Sequence, residues 1–140
     1  MKRILVPVDG SEAAERALRL AAQRARESQA DVHLLHVEPP AAAEELRAYA
    51  VRPELEKMRE SASARVLKEA ADALAAEKVP HTAHLQRGEV ARTIARFTVA
   101  HDIGEVIMGT RGMGALGSVL LGSVAQRVVH EVAVPVTLVK

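Results

Sequence analysis

The sequence predicts an α/β fold: a five-stranded, mostly parallel sheet with helices on both faces, forming one domain over residues 1–140. Three observations carry this prediction. Short apolar, β-branched runs alternate with longer stretches whose apolar residues recur at helical spacing, which is the pattern of repeated strand–helix–strand crossovers. A chain of 140 residues makes one ordinary domain, able to bury roughly two thirds of its unfolded surface without a disulfide or metal staple. Apolar residues make up 49% of the chain while Tyr49 and Phe97 are its only aromatics, so the core must be aliphatic.

The elements follow in order. ILVPV, Ile4 to Val8, is short and continuously apolar, as a strand buried on both faces requires. In the following DGSEAAERALRLAAQRARESQA, Ala14, Ala17, Leu18, Ala21 and Ala25 form a helical stripe with Arg and Glu between them. DVHLLHV, Asp31 to Val37, is a second strand. Residues 38–53, EPPAAAEELRAYAVRP, have prolines towards both ends and no clear stripe, and read as a connector with no more than a helical turn. Residues 54–78 form a long helix, with a buried stripe expected at Leu55, Met58, Ala62, Val66, Ala70 and Leu74. HTAHLQ, His81 to Gln86, is a third strand, and Glu89 to Ala100 a helix with Val90, Ile94 and Phe97 inward. EVIM, Glu105 to Met108, is a fourth strand. The glycine-rich MGTRGMGALGSVLLGS, Met108 to Ser123, then runs into a helix ending near His130, and VPVTLV, Val134 to Val139, is the fifth strand. Ligands in such sheets bind beyond the carboxyl ends of the strands, where strand order reverses. That rule singles out Asp9, residues 37–40 and the glycine stretch.

Composition excludes several functions. A net charge of +1 gives no field for nucleic acid or an anionic membrane, and the lack of aromatics leaves no stacking platform for single strands. With no cysteine, thiol catalysis, disulfides and thiolate metal sites are absent. MKRILVPVDGS has too short an apolar run for a signal peptide and reads as the first strand. No apolar run is long enough to span a bilayer, so the expected location is the cytoplasm. His33 and His36 lie three apart on a strand and point to opposite faces, as do His81 and His84, so no protein-built transition-metal site is expected from them.

The glycine stretch admits three readings. Gly109 and Gly114 have Walker A separation, but Ala115 stands where a lysine should reach the phosphates. Gly112, Gly114 and Gly117 match the dinucleotide fingerprint, yet the next strand ends in Thr137, Leu138, Val139 and Lys140 with no acid to hold a ribose. The third reading takes Gly109, Gly112, Gly122 and Ser123 as G-x2-G-x9-G-[ST]. With this spacing the chain resembles the ATP-binding branch of the universal stress protein family. ILVPVDGSE resembles that family's opening strand and turn, LLHVEPP the end of its second strand, and EVIMGTRGMGALGSVLLGSVAQRVVHEVAVPVTLVK its C-terminal signature.

The resemblance implies a Rossmann-like, three-layer sandwich of the adenine nucleotide alpha hydrolase type. It implies ATP as ligand, with Mg²⁺ held through the phosphates. Gly109, Gly112 and Gly122 would face the ligand, while Gly114 and Gly117 would supply loop flexibility. Gly109 and Gly112 would let the main chain pass close to ribose and phosphate; Gly122 and Ser123 would present N–H groups at a helix start that attracts anions. Asp9 would contact the adenosine part; its competing role is capping, for which Glu12 has capping-box spacing and Ser11 is the alternative cap. Pro7 and Val8 would flank the pocket and Val37 would offer adenine a wall, with ordinary strand packing as the alternative. Met108 and Val124 complete the expected set, and Arg111 either pairs with phosphate or is a solvated loop arginine. Ser118 and Ser123 have no positioned base nearby, so any hydrolysis should be slow; the resemblance points to a nucleotide-dependent sensor or regulator, with a slow ATPase or nucleotide hydrolase as the alternative. The final strand is flat and apolar, and at a sheet edge it must be covered or paired. Relatives pair that edge with a second copy, so a two-fold homodimer is implied.

Overall fold

The computed structural model describes residues 2–111 and 121–140. The elements are β1 (Arg3–Pro7), α1 (Glu12–Ser28), β2 (Asp31–Glu38), α2 (Ala43–Val51), α3 (Glu54–Ala76), β3 (His81–Arg87), α4 (Val90–Ala100), β4 (Glu105–Gly109), α5 (Ser123–Glu131) and β5 (Val136–Val139). The five strands form one sheet in the order β3-β2-β1-β4-β5, and every pair is parallel. The chain moves outward from β1 to β3, then returns to β1's other side for β4. Strand order therefore reverses between β1 and β4.

Two apolar layers sandwich the sheet. Ile4, Val6, Val8, Val32, Leu34 and Ile107 meet residues of α1 and α3 on one face. Leu5, Leu35, Val37, Val106 and Met108 meet α4 and α5 on the other. Alternate residues of β1 thus serve opposite cores, which is why the run is apolar at every position.

Helix α1 begins at Ser11, whose Oγ accepts from the Ala14 N–H at 3.2 Å. The turn before it needs Gly10, at φ +85°. Apart from Leu18, its buried face is all alanine: Ala13, Ala14, Ala17, Ala21, Ala22 and Ala25. Such short side chains let the helix lie close to the sheet. The closest approach is at Gly109, where an added Cβ would stand 2.7 Å from the Cβ of Ala13.

Three local expectations need correction. Residues 38–53 contain a full nine-residue helix, α2, none of whose residues is buried. The missing stripe correctly signalled no buried face; it did not preclude a helix, because Ala, Glu, Leu and Arg favour one without tertiary help. On α3 the buried residues are Ser63, Leu67, Ala70 and Leu74, while Met58 is 63% exposed and Ala62 is also exposed. A serine takes an inward position there because a carboxylate awaits it. Glu38 is 3% exposed at the end of β2, and it accepts from Ser63 Oγ at 2.5 Å and from Arg87 Nε at 2.9 Å. The Ser63 hydrogen bond is the main cause holding the Glu38 carboxyl below the ordinary carboxylate range, assisted by Arg87 against the opposing effect of burial. Finally, β5 starts at Val136 rather than Val134, and β2 runs on to Glu38.

Candidate functional site

The carboxyl ends of β1, β2 and β4 open onto a cleft of about 470 Å³ at the point of strand reversal. This volume lies within the range of small-molecule sites, and the position is the one expected of an open parallel sheet. Pro7, Val8 and Asp9 form the β1 side, and Val37 forms the β2 side. Met108, Gly109 and Arg111 follow β4, and Gly122, Ser123 and Val124 form the start of α5. Of residues 37–40 only Val37 lines the cleft. The fold thus brings the residues expected to contact a nucleotide to one cleft, except Gly112, which lies outside the described residues. Gly114, Gly117 and Ser118 lie outside them too.

One wall is apolar. Val37 and Met108 are 7% and 6% exposed, and Val90 and Ile94 of α4 stand beside them. The other wall includes Gly109, Thr110, Gly122 and Ser123. Gly122 is the N-cap of α5, with φ −64° and ψ 155°, and among the described residues no side chain caps this end. The first N–H groups of a helix have no partner within the helix. Among the described residues, none accepts from the N–H groups of Ser123, Val124 or Ala125, which lie at the cleft. A site with these two walls suits a flat apolar ring joined to an anion.

Two glycines behave differently from the expectation. The N–H of Gly122 already donates to the Thr110 carbonyl at 2.7 Å, so the donors left for an anion begin at Ser123. The same bond ties the two ends of the glycine stretch together, while the Thr110 N–H donates to Val139 at 2.8 Å and anchors that junction to β5. Gly109 lines the cleft, but the space a side chain would need is taken by Ala13 Cβ at 2.7 Å and by the main chain of Ala13 and Ala14. Its lack of a Cβ is therefore explained by α1 packing.

Asp9 is exposed, and its Oδ1 accepts from the Ser11 N–H at 2.9 Å. With Ser11 as the cap of α1, the capping role is filled and the Asp9 carboxylate stands at the cleft mouth. Sequence reasoning missed His36 and Thr110. His36 Nδ1 lies 2.7 Å from the Val8 carbonyl, which can only accept, so Nδ1 carries the proton. His36 lines the cleft beside Val37. Its place one residue before Val37, at the carboxyl end of β2, was the available signal.

The histidines group in a way that spacing within a strand does not reveal. His33 and His84 point to the same sheet face from neighbouring strands, and His101, the C-cap of α4, meets them there. No helix among the described residues is long and apolar enough to cross a membrane.

Comparison with known proteins agrees with this architecture. The universal stress protein family model matches residues 1–140. The universal stress protein in the QAH/OAS sulfhydrylase 3′ region of Thermus aquaticus is 36% identical over 140 residues, covering 99% of this chain and 98% of its own. Universal stress protein YxiE of Bacillus subtilis is 31% identical over 145 residues, with 99% and 98% covered. Among solved structures, UspA from Lactobacillus plantarum superposes with a TM-score of 0.86 at 24% identity, over 99% of this chain and 97% of that one. The universal stress protein from Archaeoglobus fulgidus in complex with dAMP gives a TM-score of 0.75 at 25% identity, over 100% and 98% of the two chains. A family match along the whole sequence, with relatives above 30% identity over nearly their full lengths, establishes that this chain belongs to the universal stress protein family.

Proposed function

We propose that the protein binds ATP in this cleft and acts as a nucleotide-dependent sensor or regulator in the stress response. The observation that carries the reading is the start of α5, which lies at the cleft without a side-chain cap among the described residues, in a cleft that also has an apolar wall. Adenine packs against Val37, Val90, Ile94 and Met108. Asp9 accepts from the ribose hydroxyls. The phosphates take the N–H groups of Ser123 and Val124, the Ser123 hydroxyl and the Arg111 guanidinium, with Gly112 completing the glycine spacing. Mg²⁺ reaches the site through the phosphates rather than through a protein cage, since it retains waters and needs few carboxylates. The dAMP complex of the Archaeoglobus fulgidus relative supports an adenine nucleotide as the ligand class.

The same reading includes a cytoplasmic homodimer. In its support, β5 is an edge strand, and every one of its residues is half-buried rather than buried. An unpaired apolar edge favours pairing with a second chain.

The test is direct. Purified protein is denatured, its supernatant chromatographed for nucleotide, and the refolded or nucleotide-free protein titrated calorimetrically with ATP, ADP and AMP. ATP binding that is weakened by Asp9→Ala supports the proposal. No released nucleotide together with no binding heat refutes it. Light scattering on the same sample reads the dimer, and a monomer mass at all concentrations refutes that part.

A further inference from the structure

His33, His84 and His101 come together away from the cleft, and none of them lines it. The β2–β3 register pairs His33 with Thr82 and Leu35 with His84. Because alternate residues share a face, His33 and His84 are diagonal neighbours on the side covered by α4. His33 Nδ1 and His84 Nε2 lie 3.0 Å apart. His101 closes the group from the end of α4, with its ring centroid 5.1 Å from that of His84 and 5.8 Å from that of His33. One nitrogen from each ring falls within 4.8 Å of the others. Phe97 supports the group from below: it stacks on His101 at 3.9 Å and meets His84 edge-on at 4.7 Å.

From this geometry we propose that His33, His84 and His101 form a binding site for one divalent transition-metal ion of the imidazole-preferring class, represented by Zn²⁺. Zinc–imidazole bonds of 2.0–2.1 Å in a tetrahedral site place ligand nitrogens about 3.3 Å apart. The His33–His84 pair already stands near that distance, and the remaining gap is within reach of imidazole χ2, a soft torsion. Three neutral donors without a thiolate suit Zn²⁺, Cu²⁺ or Ni²⁺ over Mg²⁺ or Ca²⁺, which prefer oxygen. All three histidines are half-buried, so the ion keeps at least one position open to water. The surroundings favour neutral rings: burial is the first cause lowering the pKa of both His33 and His84, and His101 adds to it. Two charges face His33, Arg3 and Asp31, with opposite effects; the Arg3 guanidinium is held by the His101 carbonyl at 2.8 Å. Competing with the ion is the hydrogen bond by which His33 and His84 share one proton. That bond uses one nitrogen of each ring and leaves the third histidine outside it, whereas an ion satisfies all three.

The site is independent of the nucleotide, so the experiment uses the full chain stripped of both nucleotide and metal. Zn²⁺ alone is titrated calorimetrically, and histidine ring signals are followed by NMR. The expected result is one Zn²⁺ per chain, with the signals of His33, His84 and His101 shifting together. His84→Ala and His101→Ala each weaken binding at least about tenfold, and His130→Ala, outside the group, does not. Binding with unchanged affinity in both cluster variants, ring shifts confined to His36, His81 or His130, or no stoichiometric binding would each overturn the proposal. Should either alanine variant fail to fold by circular dichroism, His84→Gln and His101→Asn replace it, and the wild-type ring shifts decide by themselves.

Discussion

Replacing Gly109 by alanine tests whether that glycine serves packing or ligand approach. The new Cβ would sit 2.7 Å from Ala13 Cβ, 3.0 Å from the Ala13 carbonyl carbon and 3.1 Å from the Ala14 nitrogen. Carbon atoms pack comfortably at about 3.5–4.0 Å, so the first turn of α1 must retreat by about 1 Å. That turn is fixed by the Ser11 cap and buries Ala13, Ala14 and Ala17 against the sheet, so it cannot retreat freely. Overpacking of this kind costs about 1–3 kcal/mol. For a domain of this size the Tm should fall by roughly 3–10 °C. The assay is thermal unfolding of nucleotide-free protein, followed by circular dichroism. Ala13→Gly removes the closest clashing atom, although the main-chain contacts remain. The double variant Ala13→Gly with Gly109→Ala should therefore be more stable than the sum of the single effects allows. A Gly109→Ala protein that melts with the wild type, or a double variant that is simply additive, refutes the packing explanation. Wild-type stability combined with lost nucleotide binding would return Gly109 to the ligand.

Further predictions separate stability from binding elsewhere. At Gly122 the φ of −64° suits any residue, so Gly122→Asp should supply the missing cap of α5 and raise nucleotide-free stability by a few tenths to about 1 kcal/mol. The same carboxylate should abolish ATP binding in calorimetry by occupying and repelling at the phosphate position; undiminished affinity would refute the placement of the phosphates. Ser63→Ala removes the main hydrogen bond to buried Glu38 and should cost about 1–3 kcal/mol at neutral pH in urea unfolding. Because the folded Glu38 carboxyl is held below its usual value of 4.5, its contribution is full above that value and disappears as pH falls through the lowered folded value. The difference between wild type and Ser63→Ala should therefore shrink in strongly acidic solution, and a difference independent of pH would contradict this origin. Leu67→Ala should cost about 2–5 kcal/mol, whereas Met58→Ala on the same helix should stay within about 0.5 kcal/mol. Equal losses would show that the buried stripe of α3 is misassigned.

The elements that were legible are those whose environment is uniform. ILVPV could be read as a doubly buried strand because both of its faces meet core. The alanine stripe of α1 announced a helix, and the structure shows it pressed close to the sheet. Asp9, Val37 and Gly109 were legible because each lies at a strand's carboxyl end, and a parallel sheet gathers those ends. Where the reading failed, a second element was responsible. Met58 has helical spacing with Leu74, but the part of α3 before Ser63 carries no buried residue. Ser63 looks like a surface residue until Glu38 is placed opposite it. The helix α2 buries nothing, so periodicity had no signal to offer.

The sequence by itself determined the alternation of strands and helices, the lack of cysteine, and the spacing of Gly109, Gly112, Gly122 and Ser123. These are local or compositional properties, set by side-chain polarity along the chain. Tertiary structure decided what the glycines face. Gly109 meets Ala13 from nearly a hundred residues away, and the Gly122 N–H is already given to Thr110. It also decided the histidines. Along each strand they point apart, but parallel pairing of β2 with β3, closed by the end of α4, brings His33, His84 and His101 into one group. Spacing in a sequence fixes which face a side chain takes; only the register between strands fixes what it meets there.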